Sequence, residues 1–213
     1  MSCPICSKRK PQRYCPAKGE TICAVCCGTE REVTIDCPAD CPYLVAAHHY
    51  EEEHRKPPDR AGIPFPDEDF RAEIIYEHEN VFAGLIFTIL KFAGAHPDLT
   101  DAEVLHALHS LAETTRTLAR GVYFERPPEA QLPRALYDDL AGFLAEVKQR
   151  GAESSGFPTA KDSEVFYILV LLLRLGTNQT NGRPKSRAFL EYMRSRYPAA
   201  PELAREEPRI IVP

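Results

Sequence analysis

The sequence predicts an all-α helical bundle of about five helices, preceded by a small cysteine-rich finger. Two observations lead to this fold class. All eight cysteines of the 213-residue chain lie between positions 3 and 41. After Pro42, apolar residues recur with the period of an α-helix, without a long strand-like alternation. We therefore divide the chain into a finger (1–42), a short helix with a Pro-rich linker (43–66), a bundle (67–197) and a C-terminal tail (198–213).

Composition and charge place the chain among globular proteins. Apolar residues make up 44% and charged residues 27% of the sequence, and the formal net charge is -5. The N-terminal MSCPICSKRK lacks the apolar stretch of a signal peptide, and the longest apolar run, 165–173, is too short to span a membrane. We expect a cytoplasmic protein without membrane contact. In that reducing compartment, clustered cysteines are typical of metal binding rather than of disulfides.

Two Cys-x-x-Cys motifs in the finger predict a structural zinc site. Cys3 and Cys6 form the first and Cys23 and Cys26 the second, with sixteen residues between Cys6 and Cys23. Zinc prefers four ligands in a tetrahedron, and two intervening residues let one tight turn present two thiolates to the same ion.

The remaining four cysteines predict a second zinc ion: Cys15, Cys27, Cys37 and Cys41. An alternative assigns Cys3, Cys6, Cys26 and Cys27 to one ion, and Cys15, Cys23, Cys37 and Cys41 to the other. We favour the first grouping because the adjacent residues Cys26 and Cys27 tend to point their side chains apart. His48 and His49 are spare ligands if a cysteine does not bind.

The finger resembles a known class of zinc modules. Its C-P-x-C motif, the basic spacer after it, the run Arg13-Tyr14-Cys15-Pro16 and the later Cys-rich knuckle are similar to cross-brace zinc fingers of the HIT and MYND type. They are also similar to zinc ribbons and B-boxes. The resemblance covers residues 3–41 and implies a small zinc module used for protein contacts, sometimes near nucleic acid.

A short helix and a linker follow the finger. Residues 43–56 carry i,i+4 pairs of opposite charge and predict a helix, with Pro42 before its first turn. The stretch 57–66 is rich in proline and predicts a linker. Because few contacts should cross a linker, we expect the finger and the bundle to be separately stable units.

Five apolar stripes predict the helices of the bundle. They cover 68–94, 100–120, 133–150, 160–175 and 184–197. Thr100 and Glu103 predict a capping box, Thr159 is a possible cap, and Gly151 and Gly176 are expected to end their helices. Segments 81–92 and 165–175 are the most apolar and should lie at the centre.

Two constellations in the bundle are candidate sites. His78 lies within an apolar face, where we expect a partly buried histidine bonded to a carboxylate or carbonyl; the alternative is a ligand or acid–base group. Arg183, Lys185 and Arg187 crowd the predicted start of the last helix, where cations oppose the helix dipole. They predict an anion-binding corner, unless acidic residues of a neighbouring helix already neutralise them.

These features favour a zinc-stabilised protein-interaction or adaptor protein that performs no catalysis. A nucleic-acid-binding protein is the first alternative, using Lys8, Arg9, Lys10, Arg13 and the basic segment 183–187. Residues 1–42 hold six Lys or Arg but also five Asp or Glu, and each zinc with four thiolates adds about two negative charges, which weighs against that alternative. An enzyme with a site near His78 is the second alternative.

Overall fold

The computed structural model describes residues 2–56, 58–69, 73–155 and 160–198. Within these residues the chain is mostly helical, with eight α-helices and one two-stranded sheet. The bundle contains six of these helices rather than the five expected. None of the described helices is both long and apolar enough to cross a membrane.

The finger is built from a short hairpin and one helix, and a second helix follows it. Strands β1 (Arg13–Cys15) and β2 (Glu20–Ile22) pair antiparallel, with Arg13 opposite Ile22. Helices α1 (Ala24–Glu30) and α2 (Pro42–Glu53) follow. Gly19 has φ +66° in the hairpin turn, a conformation that favours glycine.

Six helices form the bundle: α3 (Ile74–Glu77), α4 (Glu79–Ala95), α5 (Asp101–Ala119), α6 (Gln131–Ser155), α7 (Asp162–Gln179) and α8 (Ala188–Arg196). Helix α5 packs against α6 and α7, and α4 packs against α6. As predicted, α4 and α7 contribute many fully buried side chains, including Leu85, Ile89, Ile168 and Leu169. The carboxylate of Glu103 accepts hydrogen bonds from the backbone N–H and the hydroxyl of Thr100, both at 2.8 Å, which confirms the capping box.

Several predicted helix boundaries were wrong. The helix predicted over 68–94 is broken at His78, whose φ of -128° and ψ of 39° are not helical. The last helix begins at Ala188 rather than at 184. Gly151 and Gly176 lie inside helices instead of ending them. Thr159 and residues 199–213 of the tail lie outside the described residues.

The stretch predicted as a linker packs against the bundle. The guanidinium of Arg174 donates to the backbone oxygens of Pro64 at 3.0 Å, Phe65 at 2.6 Å and Glu68 at 2.9 Å. The Phe65 ring stacks on His109, with ring centroids 5.2 Å apart. An arginine and an aromatic contact therefore fix a segment whose composition suggested a free connection.

Candidate metal centre

The first Cys-x-x-Cys motif forms a tight turn. The backbone N–H of Ser7 donates to the Cys3 oxygen at 2.7 Å, and that of Cys3 donates to the Arg9 oxygen at 2.8 Å. Ser7 has φ +52° at the end of the turn. Backbone N–H groups of Lys8 and Arg9 then point at the Cys6 sulfur and lower the pKa of its thiol to about 6.

The second motif opens a helix. Cys23 is the N-cap of α1, and its sulfur accepts from the backbone N–H of Cys26 at 3.4 Å. The hairpin brings the second motif close to the first turn. The N–H of Gln12, before the hairpin, donates to the oxygen of Ile22, the residue before Cys23, at 2.9 Å. The backbone N–H of Cys23 consequently reaches the sulfur of Cys3 at 3.3 Å.

These two motifs converge on one point. The sulfur atoms of Cys3, Cys6, Cys23 and Cys26 all lie within 4.8 Å of one another, and those of Cys6 and Cys23 are 3.9 Å apart. A zinc ion with Zn–S bonds near 2.3 Å requires sulfurs about 3.8 Å apart, so the group is compatible with one tetrahedral ion. Three of these cysteines are buried and Cys6 is half-buried, and all eight cysteines of the chain are free thiols.

The thiols of this group differ in acidity. Burial raises the pKa of the Cys3 thiol, but the backbone N–H groups of Cys6 and Cys23 more than offset it, and the pKa is lowered. Burial, together with hydrogen bonding to Cys23, raises the pKa of Cys26 to about 12. Four close thiols cannot all ionise without a cation, and a bound divalent ion removes that conflict.

The sulfur atoms of the other four cysteines, which the structure also describes, do not all lie within 4.8 Å of one another. Among the described residues, Cys3, Cys6, Cys23 and Cys26 form the single group of three or more metal-ligating side chains within 4.8 Å. Nevertheless, one small cavity of about 10 Å³ is lined by all four of the others: Cys15, Cys27, Cys37 and Cys41. Burial raises the pKa of the Cys37 thiol, and the nearby Cys41 and Cys15 raise it further.

Neither of the spare histidines, both of which the structure describes, belongs to the group of four sulfurs. The Nε2 atom of His48 is 3.1 Å from Oε2 of Glu32. Burial opposes a charged imidazole, but the hydrogen bond to Glu32 and the negative charges of nearby carboxylates together outweigh it and raise the pKa of His48. Glu32 is only 2% exposed. His49 is exposed and lines a groove beside helix α8.

The three cations of the predicted anion site lie at the contact between finger and bundle. They belong to residues 181–187, which we call the bundle loop, and they face residues 28–36 of the finger, which we call the finger loop. Arg183 donates to the Arg31 oxygen at 2.8 Å, Lys185 donates through Nζ to the Thr34 oxygen at 3.3 Å, and Arg187 pairs with Asp36 at 2.5 Å. Oxygen atoms of the protein itself therefore contact each of these three cations, at the place where the sequence analysis predicted an external anion.

Glu32 and Asp101 are the residues that the sequence analysis missed. The Glu32 carboxylate accepts from His48 and from the side-chain amide of Asn181 at 2.8 Å, so it joins the finger to the bundle loop. Asp101 is 1% exposed and accepts from the backbone N–H of Phe189 at 3.1 Å. No local motif marks either residue, because each acts on a segment distant in sequence.

His78 has a carboxylate partner, as expected for a structural histidine. Its Nε2 atom lies 3.4 Å from Oε2 of Glu164, and its side chain is 12% exposed. Two larger grooves flank the contact between finger and bundle, with volumes of about 810 Å³ and about 560 Å³. Within the described residues, His78 lines neither of these grooves nor the small cysteine cavity.

No protein family, curated protein or solved structure matches this chain. The function must therefore be inferred from the sites themselves.

Proposed function

We propose that this chain is a zinc-stabilised protein-interaction protein without a catalytic metal, in which two zinc ions hold the finger. The fold carries an exposed apolar loop for a protein partner, formed by Val122, Tyr123 and Phe124. That loop is the observation on which the interaction function rests.

The geometry of the first cysteine group supports a structural rather than a catalytic ion. Four thiolates complete the tetrahedron of zinc, which leaves no position for water or substrate. Cys3 is fully buried, and Cys23 and Cys26 are 2% and 6% exposed. A finger of about 40 residues cannot bury enough apolar surface to fold alone, so the ion replaces part of a core.

A second ion at the remaining four cysteines is supported by their shared cavity. Its volume of about 10 Å³ is close to the space of one small sphere, and the buried side chains of Ile22, Ile35 and Leu44 also line it. The guanidinium of Arg13 donates to the Cys27 sulfur at 3.8 Å, which places a positive charge beside this group.

Native mass spectrometry of the full chain tests the metal assignment. Two zinc ions should be bound in a reducing buffer, and both should leave with a strong chelator. Cys6→Ser and Cys37→Ser should each retain one ion. A wild-type chain that binds a single ion would contradict the second site, and a chain that binds none would contradict both.

The exposed loop that follows helix α5 is the candidate partner surface. Val122, Tyr123 and Phe124 are consecutive and are 58%, 70% and 60% exposed. Large apolar side chains clustered on a surface are typical of protein-interaction sites. Aromatic residues are also enriched among those that contribute most to binding.

Hydrogen bonds hold this loop in one conformation. The hydroxyl of Tyr123 donates to Glu125 at 2.7 Å, and the buried Tyr137 donates to the same carboxylate at 2.9 Å. The hydroxyl of Thr117 donates to the Phe124 oxygen at 3.2 Å, and the Val122 N–H donates to the Thr117 oxygen at 3.0 Å. A loop ordered before binding loses less conformational entropy when a partner docks.

Affinity purification followed by reconstitution tests the interaction. Proteins retained by the wild-type chain should be purified and their dissociation constants measured directly. The triple variant V122S/Y123S/F124S should bind at least about tenfold more weakly, because aromatic anchors carry most of such energies. Tyr76→Ser is the matched control, since Tyr76 is 83% exposed elsewhere on the bundle. Equal affinities of the triple variant and the wild type would overturn the assignment of this loop.

One observation favours nucleic-acid binding as a second candidate. Lys8, Arg9 and Lys10 are consecutive and exposed on the first cysteine turn. Phosphate contacts would give an affinity that falls steeply with salt. An RNA or DNA affinity with that dependence, lost in K8A/R9A/K10A, would favour this candidate over the adaptor.

A further inference from the structure

The contact between finger and bundle depends on the shape of the finger loop. Two backbone oxygens of this loop accept hydrogen bonds from the bundle loop. The Arg31 oxygen accepts from the Arg183 guanidinium at 2.8 Å, and the Glu32 oxygen accepts from the backbone N–H of Lys185 at 2.8 Å. Asp36 adds an ion pair with Arg187. Backbone oxygens can meet these donors only if the loop keeps one conformation.

That conformation is strained at its centre. Glu32 has φ +52°, in the left-handed region that residues with a Cβ rarely adopt. A bridge between Arg31 and Ile35 holds it there, and the Glu32 N–H donates to the Ile35 oxygen at 3.1 Å. Ile35 is 4% exposed and lines the small cavity of the second cysteine group. The strained turn and that group therefore belong to one local structure.

Two cysteines of the second group flank the finger loop. Cys27 immediately precedes the loop, and Cys37 immediately follows it. Both line the cavity together with Cys15 and Cys41. An ion bound to all four would fix the separation of the loop ends and restrict the conformations that the free loop can sample. In the first cysteine group, by contrast, all four ligands precede the loop.

We infer that metal binding at Cys15, Cys27, Cys37 and Cys41 controls the docking of the finger on the bundle. With the ion bound, the finger loop keeps the conformation that binds the bundle loop. Without it, the left-handed turn at Glu32 relaxes and the contact opens. This inference rests on the second zinc ion of the proposed function.

Opening the contact would change the surface offered to partners. The groove of about 810 Å³ is lined by His48, His49 and Glu51 on one side and by Asn181 and Tyr192 on the other. The groove of about 560 Å³ lies between the finger segment 36–39 on one side and the end of α4, the residues that follow it and α8 on the other. This smaller groove joins finger to bundle and exists only in the docked state, whereas the larger groove also depends on the contact of α2 with the bundle. The second ion thereby regulates which interaction surfaces are present.

Two neighbouring amides report the docked state by hydrogen exchange. The N–H of Lys185 donates across the contact to the Glu32 oxygen at 2.8 Å, whereas the N–H of Ser186 donates within its own loop to the Arg183 oxygen at 3.0 Å. NMR of the full chain measures the hydrogen-exchange rate at each of the two amides. Opening should therefore accelerate exchange at Lys185 more than at Ser186.

Metal-site variants provide the comparison. In Cys37→Ser, which should lose the second ion, Lys185 should exchange at least about tenfold faster than in the wild type, while amides of α7 are unchanged. In Cys6→Ser, which should lose the first ion, the rate at Lys185 should rise less than in Cys37→Ser. Loss of one ion in Cys37→Ser without faster exchange at Lys185 would overturn the inference. Equal acceleration in both variants would also overturn it, because docking would then depend on the whole finger.

Zinc titration of the metal-free wild-type chain gives an independent measurement. Protection of Lys185 should return in step with the ion that Cys37→Ser does not bind. Its return with the other ion would contradict the inference. A wild-type chain that binds only one ion would show instead that the two-zinc proposal itself is wrong.

Discussion

The carboxylate of Asp101 caps a helix that begins 87 positions later, by accepting the backbone N–H of Phe189 at 3.1 Å. It also accepts the N–H of Leu190 at 3.2 Å and the hydroxyl of Ser186 at 2.8 Å. Asp101 lies in the first turn of α5 and is 1% exposed. The backbone N–H groups at the start of the last helix, where the sequence analysis expected an external anion, therefore have a carboxylate of the protein as acceptor.

Asp101→Ala should be strongly destabilising. The change leaves the N–H groups of Phe189 and Leu190 buried without an acceptor, and we expect a loss of about 2 kcal/mol or more in the free energy of unfolding. Chemical denaturation measures it. Asp98→Ala, at an exposed position of the same connection, should change this free energy by less than about 0.5 kcal/mol. Equal losses in the two variants would show that Asp101 does not cap α8.

The His48–Glu32 pair should make stability depend on pH. Burial lowers the pKa of His48, but the hydrogen bond to Glu32 and the nearby negative charges together raise it in the folded state. The contribution of His48 is therefore present below pH of about 6.5 and is lost as pH rises through the higher folded-state value. Burial raises the pKa of Glu32, but the bonds from His48 and Asn181 together with the charge of His48 lower it, so its contribution is present above pH of about 4.3 and is lost below the folded-state value. Both contributions are therefore present between those limits.

The difference in the free energy of unfolding between wild type and His48→Gln isolates the contribution of the His48–Glu32 pair. It should be largest near pH 6 and should shrink as pH rises to about 8.5. Metal release at low pH acts on both proteins and cancels in the difference. The exposed neighbour His49 serves as control, and His49→Gln should give a difference that does not change with pH. A flat difference for His48→Gln as well would refute the assignment.

Gly176→Ala should destabilise the bundle. A Cβ atom at this position would lie 2.6 Å from Cδ2 of Leu105 and 2.7 Å from Cε1 of the fully buried Phe189. We expect a cost of about 1–3 kcal/mol from this overpacking. Gly142→Ala in α6 meets no atom within 4 Å and should instead stabilise by up to about 1 kcal/mol, through higher helix propensity. Thermal unfolding of the two variants distinguishes these outcomes, which have opposite signs.

Tyr137→Phe should loosen the exposed apolar loop. Burial raises the pKa of Tyr137 to about 12, so its hydroxyl remains protonated and donates to Glu125 at physiological pH. Its removal should cost about 1 kcal/mol and accelerate hydrogen exchange in residues 122–125. Tyr76→Phe, at a side chain that is 83% exposed, should change neither quantity. Unchanged exchange in Tyr137→Phe would mean that other bonds hold the loop.

Local patterns in the sequence predicted those features that depend on neighbouring residues. The two Cys-x-x-Cys motifs each form within a single turn, and their spacing anticipated the group of Cys3, Cys6, Cys23 and Cys26. The capping box of Thr100 and Glu103 acts over three residues, and it formed as predicted. Helical periodicity also identified α4 and α7 as central. Apolar residues occur on every side of these helices, and a helix that is apolar on every side is buried on every side.

Tertiary structure decided the features that join distant segments. Gly176 was expected to end a helix because glycine often does so, yet α7 continues through it to let the Phe189 ring approach. The sequence predicted an open anion site at Arg183, Lys185 and Arg187, because the oxygen atoms that contact these side chains lie about 150 residues earlier in the chain and no local pattern reveals them. The sequence alone determined the first cysteine cluster and the helical class, through short-range geometry. Which surfaces meet, and which charges are neutralised, depended on long-range packing that no local pattern encodes.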